Sequence, residues 1–255
     1  MPRSRLQQHG ASRRTSKVRP TVLVTGGSGG IGRAICVAFG KAGWKVGVHY
    51  RTHAQAAART AAAVRKHGGT AMLLHADVRD GKQTQEMVAQ LVDRWERLDV
   101  MVCNAGVASG ALVLRAGAEA WATVVDTNLT GTFHCLRAAG SVMVAQRDGA
   151  VIVIGSLAGV QGYAGQAAYA ASKAGLLGLV KTAAKEWGRQ NVRVNAVLPG
   201  WQKTALAGSA FPDDALADHA LGRTPSLEDL AHAICQLALY RDSSGQVWNL
   251  DSRIL

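Results

Sequence analysis

Short, wholly apolar runs alternate with longer amphipathic segments along almost the entire chain, and this alternation constrains the fold more than any other feature. "TVLVT" (21–25), "KVGVHY" (45–50), "AMLLHAD" (71–77), "DVMVCNAG" (99–106), "GAVIVIGS" (149–156), "VRVNAVLPG" (192–200) and "GQVWNL" (245–250) read as strands. Strands apolar at consecutive positions bury both faces, which is the signature of a parallel sheet covered by helices on each side. The intervening segments have helical spacing over 31–43, 53–68, 82–98, 167–189 and 226–240, with one long helix within 118–145. Seven strands in 255 residues predict an α/β fold, a single doubly wound domain over 20–255 with a seven-stranded, mainly parallel sheet. No Pro/Ser-rich linker or repeat suggests a second domain.

Composition excludes several classes. The net charge is +12, half of it from residues 1–20, which hold six Lys or Arg and no acid. Residues 1–19 read as a basic, disordered solubilising tail, although an Arg-rich, Ser-containing, acid-free stretch also resembles a transit peptide. No aromatic platform or basic stripe on a folded segment points to nucleic acid. No apolar run has the length of a membrane span. Cys36, Cys103, Cys135 and Cys235 are far apart in sequence and form no CxxC pair, so neither a metal site nor a disulfide framework is expected. Reduced, buried thiols fit a cytoplasmic protein.

The glycine-rich segment "VTGGSGGIG" (24–32) lies where the first strand feeds the first helix. Glycine there lets the backbone turn tightly and approach a pyrophosphate, while the helix N-terminus offers free N–H groups and a positive dipole. Gly26, Ser28, Gly30, Ile31 and Gly32 are therefore candidate cofactor contacts. No Lys-Ser/Thr follows, so a nucleotide-triphosphate loop is excluded. An acid at the end of the second strand would select a ribose 2′-hydroxyl. This chain has "HYRTH", and Arg51 favours a 2′-phosphate instead, with Arg33 placed to assist. The cofactor expected is NADP(H).

"YAASK" (169–173) puts Tyr169 and Lys173 four residues apart, on one helix face. Such pairs also occur where they only pack and solvate. Together with the other motifs, the chain resembles the short-chain dehydrogenase/reductase family over residues 20–250, with a Rossmann-type fold. "TGGSGGIG" resembles the family's glycine motif. "ADV" (76–78) resembles its adenine-contacting segment, which implies roles for Asp77 and Val78. "CNAG" (103–106) resembles the motif lining the cofactor site, which implies Asn104, Ala105 and Gly106. "DTNLTG" (126–131), "IGSLAG" (154–159) and "YAASK" imply a catalytic set of Asn128, Ser156, Tyr169 and Lys173. "NAVLPGWQKT" (195–204) resembles the segment closing over the nicotinamide, which implies Pro199, Gly200 and Thr204.

The chemistry implied is coherent. Hydride addition to a ketone builds charge on oxygen, and a proton donor must meet it. Lys173 is expected to lower the pKa of Tyr169, the donor, and to bind the nicotinamide ribose. Ser156 would hydrogen-bond the carbonyl. The resemblance implies that Asn128 holds a water linking Lys173 to solvent.

The segment 201–231 sets substrate choice and is most similar to that of 3-oxoacyl-[acyl-carrier-protein] reductases. The expected substrate is a ketone on a 3-oxoacyl thioester, carried on an acidic acyl carrier protein. Lys181, Lys185 and Arg189 would share one helix face, either as a carrier dock or as a solvated face. Other ketones or alcohols (steroids, sugars, quinones) are alternatives, as is a non-catalytic NADP(H)-binding regulator. Two positions depart from the family pattern. Cys103 replaces an asparagine, and "DSRIL" (251–255) replaces an Asp-Gly-Gly ending, which leaves the expected homotetramer or homodimer open.

Overall fold

The computed structural model describes residues 19–202, 204, 216 and 218–254. Most of the basic segment 1–19, and most of the substrate loop at 203–217, thus lie outside the described residues. Seven parallel strands form one sheet in the order β3-β2-β1-β4-β5-β6-β7. They are β1 (Thr21–Val24), β2 (Lys45–Tyr50), β3 (Thr70–His75), β4 (Val100–Cys103), β5 (Gly149–Ile154), β6 (Val192–Leu198) and β7 (Val247–Asn249). The helices are α1 (Gly30–Lys41), α2 (Ala54–Lys66), α3 (Gly81–Trp95), α4 (Ala118–Val125), α5 (Gly131–Gln146), α6 (Ala158–Gln161), α7 (Ala167–Trp187) and α8 (Leu227–Leu239).

Strand residues alternate between two cores. Val22, Val24, Val46, Val48, Val100 and Val102 pack with α1, α2 and α8. Leu23, Met101, Val151 and Val153 pack on the other face with α3, α5 and α7. The central strands β1, β4 and β5 are buried at every position because successive side chains point to opposite faces and both faces are covered, whereas the edge strands β3 and β7 are partly exposed. The strand order reverses between β1 and β4, so their carboxyl ends open into a crevice, where doubly wound folds bind ligands.

Two helix expectations need correction. The long helix within 118–145 is interrupted: the chain makes a π-helical turn at Asp126–Thr130, with the Gly131 N–H bonded to the Asp126 carbonyl. The cause is tertiary. Asn128 is pulled onto Val107 and Ser172, and Val78 packs so close to Gly131 that a Cβ there would lie 2.7 Å from its methyl. Helical periodicity contains neither contact. The helix expected over 167–189 ends at Trp187, and Arg189 sits in the 3-10 turn Gly188–Gln190, so it does not continue the helical row of Lys181 and Lys185.

Candidate active site

The glycine turn is shaped by backbone requirements. Gly26 and Gly30 have φ of 64° and 53°, in the left-handed region that favours glycine. A Cβ on Gly32 would lie 2.3 Å from the Gly26 carbonyl oxygen and 2.5 Å from Asn104 Nδ2. The N-cap of α1 is Gly29, no side chain caps this end, and its first turn holds no acid. The leading N–H groups therefore have no intrahelical partner and face an anion-accepting cradle, into which Ser28 leads. This suits a pyrophosphate.

His49 on β2 fastens the turn. Its Nδ1 accepts from the Gly26 N–H at 3.0 Å, and its Nε2 meets the Ala76 carbonyl at 3.0 Å. The first contact requires a bare Nδ1, so Nε2 carries the proton. Burial lowers the imidazole pKa and keeps it neutral. Nothing in the pattern of "KVGVHY" singled this residue out.

At the β1–β4 crevice, Thr25 Oγ1 accepts from the N–H groups of Asn104 (2.8 Å) and Ala105 (3.0 Å). Asn104 Nδ2 donates back to the carbonyls of Thr25 (2.9 Å) and Gly26 (3.3 Å). The CNAG segment is thus stitched to the glycine turn. Cys103 is buried against Cys135, and Cys36 near Cys235. Cysteines far apart in sequence are neighbours in space, and all four are free.

Beyond the turn, the end of β2 forms a cationic corner. The Asp77 carboxylate takes the Arg79 guanidinium through Nε and NH2 (2.6–3.0 Å), and Arg51 lies 3.7 Å away. The hydrogen bonds from Arg79 are the main reason the Asp77 pKa is held low. This carboxylate closes onto Arg79, a residue that sequence reasoning did not single out. Val78 sits beneath, against Gly131. The corner thus sets the guanidinium groups of Arg51 and Arg79 around the Asp77 carboxylate, and Arg33 is exposed on the first turn of α1.

The residues expected to be reactive lie across the crevice. Ser156 follows β5, and its hydroxyl accepts from the Ala158 N–H at 3.2 Å. Tyr169 and Lys173 stand one turn apart on α7, with Lys173 Nζ 5.7 Å from the phenol ring centroid. Lys173 is buried and donates to the Ile154 carbonyl at 2.7 Å. Burial pushes its pKa down to about 8, while Cys103 pulls it up. The expected lowering of the Tyr169 pKa by Lys173 is not what this geometry yields. Burial pushes the phenol up, and the opposing pull comes from hydrogen bonding with Ser156.

Asn128 is fully buried behind this set. Its Oδ1 accepts from the Val107 N–H (2.8 Å), and its Nδ2 donates to the Val107 carbonyl (2.9 Å) and Ser172 Oγ (3.0 Å). The side chain locks the turn after β4 to α7, with both of its amide hydrogens engaged. Its backbone carbonyl accepts from the Thr132 hydroxyl at 2.7 Å.

A pocket of about 310 Å³ joins the two ends. Ile31, Asn104 and Gly106 line it on one side, and Ser156, Tyr169 and Lys173 on the other. Pro199, Gly200 and Thr204 cover it, and the Thr204 methyl lies 3.2 Å from where a Cβ on Gly30 would sit. Tyr163, Gln166, Gln202 and Arg253 also line it and were not read as site residues. Only the unusual C-terminus signalled one of them, and that signal concerned subunit packing.

Comparison with known proteins agrees with this geometry. The sequence model of the family described as short chain dehydrogenase matches residues 20–215. A 3-oxoacyl-[acyl-carrier-protein] reductase of Synechocystis sp. is 37% identical over 240 residues, covering 93% of this chain and 97% of that protein. The reductase FabG of Staphylococcus aureus, with the same activity in its name, is 35% identical over 225 residues, covering 87% and 92%. A crystal structure from Sinorhizobium meliloti, assigned as a short-chain alcohol dehydrogenase, superposes with a TM-score of 0.87 at 33% identity, over 91% of this chain and 95% of that one. A parallel sheet with its crevice between β1 and β4, a glycine turn on one side of that crevice and a Ser-Tyr-Lys set on the other, together with these matches, mean that the chain belongs to the short-chain dehydrogenases, a family of oxidoreductases that use a nicotinamide cofactor.

Proposed function

We propose that this protein is an NADPH-dependent ketoreductase that reduces a 3-oxoacyl thioester, presented on acyl carrier protein, to the 3-hydroxyacyl form. One observation carries the reading: Ser156, Tyr169 and Lys173 converge in the pocket that the glycine turn borders. The substrate class comes from the names of relatives 35–37% identical over most of the chain.

When bound, the reduced nicotinamide supplies the hydride. The protein's own residues do the rest. Ser156 donates to the ketone oxygen and holds it at the reacting position. Tyr169 delivers the proton that this oxygen needs as charge builds on it. With a pKa of about 8, Lys173 is mostly an ammonium at neutral pH. Held beside the phenol, with Nζ 5.7 Å from its ring centroid, it would bind the ribose hydroxyls. Asn128 acts from behind, by fixing the π-helical turn and Ser172 against α7. Pro199, Gly200 and Thr204 exclude water from above. Gly26, Ser28, Gly30, Ile31 and Gly32 hold the pyrophosphate, and Asn104, Ala105 and Gly106 line the nicotinamide side.

The cationic corner supports the choice of NADPH. Arg79 takes Asp77 through the short hydrogen bonds, and Arg51, paired to the same carboxylate only at 3.7 Å, would turn to a 2′-phosphate, with Arg33 as the expected helper. Asp77 and Val78 then border the adenine.

The test is a carbonyl panel assayed with NADPH and NADH side by side, following nicotinamide absorbance. An acetoacetyl thioester is expected to be reduced, with NADPH preferred by about tenfold or more, as for a gained charge-assisted hydrogen bond. Absence of turnover on every thioester in the panel defeats the substrate assignment. Equal use of both cofactors defeats the role given to Arg51.

A further inference from the structure

One wall of the catalytic pocket plays no part in the chemistry above. Arg253 contributes to it and is only 7% exposed. Among the described lining residues, Arg253 and Lys173 are the charged ones. The guanidinium is fixed on two sides. Its Nε and NH2 donate to Asp251 Oδ2 at 2.8 and 2.6 Å, and NH1 donates to the Tyr163 hydroxyl at 3.3 Å. The Asp251 side chain is wholly buried, tucked so tightly under Gly200 that a Cβ there would lie 2.5 Å from its own Cβ.

The backbone around Arg253 is held as firmly. Its N–H donates to Asp251 Oδ1 at 2.8 Å, and its carbonyl accepts from Asn249 Nδ2 at 2.7 Å. Ser252 takes the N–H groups of Ala220, on its carbonyl, and of Leu221, on its hydroxyl. The two residues that break the expected C-terminal pattern therefore build a rigid wall.

A guanidinium has five N–H donors. Three are engaged, and two have no partner among the described residues. Asp251 cancels the charge of Arg253, so the pair is neutral toward the pocket. A carboxylate would have to be desolvated against a pair whose positive charge Asp251 already offsets, whereas a neutral carbonyl oxygen accepts the free donors at a smaller desolvation cost. We propose that Arg253 is a substrate-recognition residue donating to a second, neutral carbonyl of the substrate, so that the enzyme selects ketones bearing a thioester or ester over simple ketones and over free 3-oxo acids. This rests on the ketoreductase reading and identifies the part of the substrate that is read.

The experiment compares kcat/KM of the full chain, with NADPH, for an acetoacetyl thioester, acetoacetate and a simple ketone. Wild type is expected to rank the thioester first. Arg253→Met is expected to lower the thioester-to-simple-ketone ratio about tenfold or more, mainly through KM, as for loss of one charged hydrogen bond. The double variant Asp251→Asn/Arg253→Met leaves no buried carboxylate unpaired, and decides the matter if the single variant fails to bind NADPH. A variant that binds NADPH and keeps the wild-type ratio overturns the proposal, as does a wild type that prefers acetoacetate to its thioester. A wild type inert toward every thioester overturns the function reading too, and shows this before any variant is made.

Discussion

At the glycine turn, the bonds hold the backbone itself in place: the Gly26 amide and carbonyl and the amides of Asn104 and Ala105 are tied by the side chains of His49, Asn104 and Thr25, while no side chain caps the N-terminus of α1. At the reactive end they run through side chains, with Lys173 on the Ile154 carbonyl, Asn128 on Val107 and Ser172, and Arg253 on Asp251. Gly32 in the turn tolerates no added atom, whereas the reactive end holds a buried lysine ammonium at a cost in stability. One region is limited by space and the other by charge, so they should fail differently when altered.

The largest expected effect separates chemistry from binding. Tyr169→Phe removes the proton donor and is expected to lower kcat about a thousandfold, roughly 4 kcal/mol. NADPH affinity, read by fluorescence titration, should change less than about threefold, because a phenyl ring keeps the packing. Turnover near wild type would remove Tyr169 from the proton-donor role.

The next effect has opposite signs for stability and activity. The Lys173 pKa falls from 10.5 to about 8 on folding. The unfolded chain therefore binds more protons between about pH 8 and 10.5, and stability rises with pH through that window. Below pH 8 the buried charge carries its full penalty, on the order of 3 kcal/mol. Lys173→Met is expected to abolish turnover while raising the melting temperature at pH 7, and to flatten the rise in stability above pH 8. A lower melting temperature at pH 7 would mean that the bond to Ile154 outweighs the desolvation of the charge.

The smallest effect tests the limit of space. Gly32→Ala puts a methyl against the Gly26 carbonyl and is expected to cost about 1–3 kcal/mol of stability. Cofactor affinity should fall by about tenfold or more, with kcat at saturating NADPH changed far less. If kcat fell while affinity held, the two regions would not be separable in this way.

Much of this molecule was legible in its sequence for local reasons. Strands buried on both faces are apolar at every position, as β5 is from Gly149 to Ile154, so the parallel sheet and its helices could be read directly. The glycine turn was visible because a positive φ and a close carbonyl leave few alternatives to glycine. Tyr169 and Lys173 were visible because one helical turn brings them together wherever the helix lies.

What the sequence did not carry depends on contacts between distant segments. The π-helical turn at Asp126–Thr130 has no local breaker to announce it, since it is imposed by Val107, Ser172 and Val78 from three other segments. The direction of the Tyr169 and Lys173 pKa shifts depends on burial, and burial of a polar group is a property of the packed domain. The partnership of Asp77 with Arg79 was two residues wide and still unread, because side-chain direction after β3 decides it. Sequence alone determined the fold and the glycine turn, which follow from periodicity and short spacings, and its resemblance to the short-chain dehydrogenases implied the catalytic set. Only the tertiary structure could bring Arg253 and Asp251 to the wall of a pocket whose tyrosine lies more than eighty residues away, since no local rule couples a chain's end to its catalytic helix.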